Sequence, residues 1–564
     1  MFRLGLWNLV LCLLTCLPAV SQTASQYAFR VVFTDKDGSP SLQDAAQFLS
    51  PRALDRRALR GVSLDETDRP VTTAYIDSVL ALTQGKLHVV SRWFNQCVVL
   101  LEDSSRILQL QGKPYIHSFR VVAHYPNGLH LPSQRPAGKS PTETLQPYPH
   151  RQLRTTGTVD SADYGYAFTQ TALVNGHVLH EGGFWGEGML IAVMDAGFIG
   201  TQTHPGFDSM RQSGRLVDMH DFVLEQDSVF HHDRHGTSVL GPIAGYIPGE
   251  YIGAAPRAQY ALYRTEDNYG EQLIELDNLL AGVERADSIG ADIINVSLGY
   301  NTFSFPSGAN IDPAQMDGRT TLAAQTANMA ARKGMLFVCT AGNEGTTGLL
   351  TPGDADSALT VGAVDRDRNP AGFSGWGPNA AGHVKPEVAA LGSPAIVFDS
   401  SYISAAGGTS FAAPQIAGWA ACLWQAKPSA SPMEIHEAIV RSADHYGHPD
   451  RQKGHGVPDF RAAGAWLKIL DTVQVPLTDD FIATWPTVFR DNDIVRILLN
   501  PRADQQITFG LFDLGGRRIW QYEERFKAGK QHYELLFPSG LPGGMYLLRA
   551  TGGMQHQTVK MVKY

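Results

Sequence analysis

Three short stretches hold residues that could carry out nucleophilic chemistry. Asp195 closes the apolar run Ile191-Ala192-Val193-Met194 and is followed by Ala196-Gly197. His235 opens His235-Gly236-Thr237-Ser238-Val239, and Ser410 lies within Gly407-Gly408-Thr409-Ser410-Phe411-Ala412-Ala413-Pro414. A serine hydroxyl is a weak nucleophile until a base accepts its proton, and histidine titrates in the range where it can do so. An aspartate that orients the imidazole completes the set. Taken singly each residue has a plain structural reading: a turn or N-cap aspartate, a core histidine, a helix-start serine. Their joint occurrence is what carries information.

These residues need a scaffold, and the surrounding pattern supplies one. From 164 to 470, short apolar runs alternate with helical stretches, the signature of a mostly parallel sheet with helices on both faces. Strands are expected at 189–194, 259–263, 293–296, 335–340 and 358–364, and helices at 273–289, 320–333 and 409–425. Asp195 then stands at a strand's C-terminal end, where functional groups of open α/β sheets gather. Ser410 stands at a helix N-terminus, with Gly236, Gly407 and Gly408 allowing close backbone approach.

The order Asp195, His235, Ser410 and the motifs around these residues resemble the subtilase family of serine peptidases. The resemblance covers about 164–470 and implies an endopeptidase that needs no cofactor or metal and acts on proteins or peptides. It also implies that Asn343, in Ala341-Gly342-Asn343-Glu344-Gly345, forms the oxyanion hole with the Ser410 backbone N–H. By the same resemblance, Ser297, Leu298 and Gly299, with Thr340, Ala341 and Gly342, wall the primary specificity pocket and pair with an extended peptide. Glu266, Asp267 and Glu271 follow another strand and could favour basic residues upstream of the cut; a solvated acidic loop is the plainer reading. Ala196 departs from the family's usual Ser or Thr, which removes a local hydrogen bond, and no calcium loop can be matched between Gly241 and Gly253. His231, His232 and Asp233, and Asp312 and Asp317 in the insertion 300–319, could supply cation ligands, but ordinary polar loops fit better.

The remaining chain divides into smaller parts. Arg3, the apolar run 4–17 and Ala19-Val20-Ser21 form an export signal over 1–21, too short to span a membrane comfortably. Its loss leaves no transmembrane segment. Residues 27–122 suggest a small α+β unit with strands at 27–34, 87–101 and 118–123 and helices at 42–59 and 75–83; its position matches the inhibitory propeptide of subtilases. A linker (123–163), rich in Pro, Ser and Thr, separates the two, and a second linker (471–486) precedes a small all-β sandwich at 487–564. Within that sandwich Asn500-Pro501, the run 511–517, Leu541-Pro542-Gly543-Gly544-Met545-Tyr546-Leu547 and a basic end resemble the sorting domains of type IX secretion, which implies secretion machinery as a partner and an extracellular or outer-membrane destination.

Composition agrees with this division. The chain of 564 residues is 43% hydrophobic and 18% charged, a globular balance, and 46 Lys plus Arg against 55 Asp plus Glu leave a net charge of −9. No basic excess exists to neutralise phosphates, so nucleic acid is not the expected partner. After the leader only Cys97, Cys339 and Cys422 remain, a set read as buried thiols and not as a disulfide framework. Alternatives to a general endopeptidase are a processing protease with few targets and a catalytically silent adhesive protein.

Overall fold

The computed structural model describes residues 25–129, 142–144, 161–267, 270–469, 482–485, 488–489, 494–499, 501–528, 531–553 and 555–563. The residues expected to form an export signal, most of the first linker and part of the second lie outside these residues. The chain forms two compact units, 1–473 and 474–564.

The first unit begins with a four-stranded antiparallel sheet: β1 (Gln26–Phe33), β2 (Lys86–Ser91), β3 (Gln96–Leu101) and β4 (Ile116–Tyr125), in the order β2-β3-β1-β4. Helices α1 (Pro51–Leu59) and α2 (Thr73–Thr83) accompany it. The expected helix 42–59 is broken because Ser50 caps a new helix that starts at Pro51, its hydroxyl accepting from Ala53 N. The expected run 87–101 is a hairpin, turned at Asn95 with φ +52°.

A seven-stranded, wholly parallel sheet follows: β5 (Leu190–Asp195), β6 (Leu216–Asp221), β7 (Gln259–Arg264), β8 (Ile293–Val296), β9 (Leu336–Thr340), β10 (Ala358–Val364) and β11 (Val388–Leu391). Their order is β11-β10-β9-β8-β5-β7-β6, so β5 lies inside the sheet and every one of its residues is buried. Alternate side chains of β5 feed two cores. Ile191 and Val193 join a cluster with α3 (His235–Ala244) and α6 (Thr409–Gln425). Leu190, Ala192 and Met194 join a second cluster with α4 (Glu275–Ile289) and α5 (Leu322–Arg332). Small residues let α6 approach closely: a Cβ on Gly418 would stand 2.6 Å from Ala254 Cβ.

The 474–564 unit is all β. A three-stranded sheet (Ile482–Trp485, Ile494–Leu499, Gln531–Leu536) and a five-stranded sheet share a core that includes Ile497, Phe509 and Leu548. Cys97, Cys339 and Cys422 are free and buried, as expected. Among the described residues no helix is long and apolar enough to cross a membrane.

Candidate active site

Asp195 is the last residue of β5 and is fully buried. Its Oδ1 accepts from His235 Nδ1 at 2.8 Å and from the backbone N of Ala196 at 2.8 Å. Oδ2 has no hydrogen-bond partner, in line with the hydroxyl that Ala196 lacks. Burial raises the Asp195 pKa against the opposing effect of His235. On His235, burial acts downward, but the charge and hydrogen bond of Asp195 outweigh it and raise the imidazole pKa to about 9. The pair therefore favours a proton on the imidazole in the free protein.

His235 is the first residue of α3, and its backbone N donates to Asp233 Oδ1 at 2.9 Å. Two glycines let the Asp195 and His235 loops interlock. A Cβ on Gly236 would lie 2.5 Å from Gly197 O, and Gly197, at φ +148°, has no room for one beside His231 O. The imidazole side chain is 26% exposed, enough to meet a substrate while the carboxylate behind it stays dry.

Ser410 lies in the first turn of α6, 7% exposed. Its hydroxyl donates to Ser297 O at 3.2 Å, and the Ser297 hydroxyl donates back to Ser410 O at 2.9 Å. The His235 ring stands 5.6 Å, centroid to centroid, from the ring of Phe411, the next residue. The histidine thus sits over the start of α6, although Ser410 Oγ is engaged by Ser297 O and not by His235. Catalytic hydrogen bonds commonly tighten only in the substrate complex.

Asn343 is exposed in the loop after β9, and chemistry fixes its orientation. Thr409 N, which can only donate, lies 3.0 Å from Asn343 Oδ1, and the Thr409 hydroxyl lies 2.9 Å from the same atom. The amide oxygen is therefore held inward and the NH₂ is left for an outside acceptor. The Thr340 hydroxyl donates to the Thr409 hydroxyl, and Gly342 N donates to Thr340 Oγ1 at 3.3 Å. Sequence reasoning missed Thr409 as the residue that ties this loop to the helix carrying Ser410; its place beside Ser410 was the available signal. Ser297, Leu298 and Gly299 follow β8, while Thr340 ends the adjacent β9 and Ala341 and Gly342 follow it. Gly299 and Gly342 both face Leu350, each with room for no Cβ.

The candidate cation ligands of the sequence have other partners. Asp312 caps a short turn through Ala314 N, and Asp317 accepts from Arg319 N and Thr320 N. Asp221, His231 and His232 bring ligand-type atoms within 4.8 Å of one another. Asp221, however, already accepts from Val223 N, Leu224 N and the Arg264 guanidinium, whose charge opposes a cation there.

Known proteins resemble this chain over the segments that carry these residues. Residues 186–456 match the profile of the Subtilase family, and residues 28–137 match that of the Peptidase S8 propeptide domain, Bacteroidota. The chain is 29% identical over 283 residues to a thermostable alkaline protease of Halalkalibacterium halodurans, covering 49% of this chain and 68% of that protein. It is 28% identical over 289 residues to subtilisin BL of Lederbergia lenta, covering 50% and 93%. Residues 186–456 are thus similar to the subtilase family, and the chain is a subtilisin-like serine endopeptidase.

Proposed function

We propose that the protein is an exported endopeptidase that cleaves proteins through an acyl-enzyme on Ser410. The observation that carries this reading is the 2.8 Å Asp195–His235 contact at the C-terminal edge of the sheet, beside the helix whose first turn holds Ser410. His235 takes the Ser410 proton during attack and returns it to the leaving amine. Asp195 holds the imidazole with Nδ1–H inward and stabilises the imidazolium. The outward Asn343 amide and the Ser410 N–H receive the oxyanion. An extended substrate lies along the segments that follow β8 and β9, its backbone pairing with Ser297, Leu298 and Gly299 and its side chain entering toward Ala341 and Gly342.

The N-terminal unit acts as an inhibitory propeptide until the first linker is cut. Supporting this, Thr142–Thr144 pairs antiparallel with Ile403–Ala406, the strand that runs into Ser410, which seats part of the linker beside the nucleophile. The catalytic domain spans 164–470 in this reading. The leader at 1–21 takes the protein through an inner membrane, and the 487–564 sandwich directs it onward to the surface or medium as type IX cargo.

A serine-directed fluorophosphonate probe tests the central chemistry. The matured protein should be labelled at Ser410, with labelling lost in Ser410→Ala and strongly slowed in His235→Ala. An unlabelled matured protein, or labelling on another serine, would refute it.

A further inference from the structure

Helix α6 holds a buried proline, Pro414, beyond its first turn. A proline has no N–H, so the carbonyl four residues earlier loses its helical partner, and the ring crowds that carbonyl outward. Four residues before Pro414 stands Ser410. The sequence therefore leaves the backbone oxygen of Ser410 without a donor from its own helix. A buried backbone carbonyl left unpaired is costly, so the fold has to bring a donor from elsewhere.

That donor comes from the end of β8. The Ser297 hydroxyl, on a residue 3% exposed, donates to Ser410 O at 2.9 Å. Its one proton is committed there, so any further bond it makes is as an acceptor. Asn295 Nδ2 fills that place at 3.2 Å, which fixes the Asn295 amide with its NH₂ toward Ser297. Asn295 is completely buried in the otherwise apolar strand Ile293-Ile294-Asn295-Val296, and its Oδ1 has no hydrogen-bond partner among the described residues. A half-satisfied amide at this place destabilises the strand relative to an apolar residue of the same shape. Fold stability gives no reason for it; the bond to Ser297 does. The Ser410 hydroxyl closes the pair by donating to Ser297 O at 3.2 Å. Thr409 is held separately by the loop after β9, its hydroxyl 2.9 Å from Asn343 Oδ1. The ends of two adjacent strands thus grip the first turn of α6, and Ser297 is the grip on Ser410 itself.

We propose, on the proteolytic reading above, that the Ser297 hydroxyl, oriented by Asn295, positions the nucleophile by replacing the helical hydrogen bond that Pro414 denies to Ser410 O. Ser297 and Asn295 are then positioning residues, acting through Ser410 and setting where its Oγ stands relative to His235. This task belongs to the Ser297 side chain and is separate from the pairing of its backbone with a peptide. Without the hydroxyl, Ser410 O turns toward another donor and carries Oγ with it. A displacement of about 1 Å at a reacting group can cost on the order of 10²-fold in rate. Because the hydroxyl stands in for a missing backbone donor, restoring that donor makes it dispensable.

A double-mutant cycle on enzyme matured with an added protease tests this. With Pro414 in place, Ser297→Ala should lower kcat by roughly tenfold or more while KM changes by less than about threefold. Pro414→Ala gives residue 414 an N–H for Ser410 O, so in that background Ser297→Ala should cost less than about threefold in kcat. Asn295→Leu should lower kcat by about threefold or more with an equal or higher melting temperature, the reverse of what lost packing would do. Equal losses from Ser297→Ala in the two backgrounds would overturn the inference. So would a loss confined to KM, or an unchanged kcat in a Ser297→Ala enzyme that labels at Ser410. If Pro414→Ala does not fold, Asn295→Leu decides: a kcat that is unchanged, or that falls only together with the melting temperature, would overturn the inference. A wild-type enzyme that neither cleaves nor labels would remove the proteolytic reading and this inference together.

Discussion

Replacing Asp287 by alanine should loosen the N-terminal unit from the catalytic domain. The Asp287 carboxylate is fully buried and accepts from Arg56 at 2.5 Å, Arg57 at 2.7 Å and Arg92 at 2.6 Å, all three from the N-terminal unit. Burial alone would raise its pKa, but the three guanidiniums hold it below the ordinary value of 3.8. Removing one member of a buried ion network typically costs about 3–5 kcal/mol, because the opposite charge is left unpaired. Here each arginine keeps a second acceptor: Arg56 has Ala291 O and Lys333 O, Arg57 has Asp68, and Arg92 has the Ser288 hydroxyl. The lower end applies, about 3 kcal/mol, or roughly a hundredfold in the docking equilibrium. The Ser410→Ala precursor, which cannot cut itself on this account, is the background for the assay. Denaturant titrations followed by circular dichroism should show the docked state weakened by that amount in Asp287→Ala. Acid should act in the same direction: a depressed folded-state pKa gives stabilisation that is present above the unfolded value and lost as pH falls through the folded one. A loss under about 1 kcal/mol would mean that the arginines rearrange to other acceptors and that the network does not hold the unit.

Three further outcomes are expected. Asn343→Ala should lower kcat by roughly 10²–10³, the size found for the oxyanion asparagine of subtilisin, with little change in KM; an effect confined to KM would make Asn343 a binding residue. Since the base must be neutral and His235 is raised to about 9, kcat/KM for the free enzyme should climb through that pH; a limb near 6.5 would mean that Asp195 does not hold the imidazole as described. Removal of residues 487–564 should leave hydrolysis intact and abolish delivery to the surface or medium, measured by activity in periplasm and medium; normal delivery of the truncated protein would exclude the sorting role.

Where the sheet is buried on both faces, its strands were readable. β5, β7, β8, β9 and β10 are continuous apolar runs at the positions expected, because each is covered by helices on both sides. The two edge strands were not. β6 reads Leu-Val-Asp-Met-His-Asp and is only partly buried, while β11 is four residues long, so neither offers a distinctive pattern. The residues proposed as the triad stood out in the sequence because their motifs are local. The long-range partners of the site were not: no spacing rule links Asn343 to Thr409, 66 residues on, or Arg56 to Asp287, 231 residues on.

The most direct test of the account is the turnover of a peptide substrate by matured wild type and by Ser410→Ala protein matured with an added protease. The substitution removes one small hydroxyl from the first turn of α6 and should leave the fold intact, while kcat falls by on the order of 10⁶, the loss known for the nucleophile of subtilisin. Residual turnover within tenfold of wild type, in a variant shown to be folded, would contradict the assignment of Ser410 as the nucleophile.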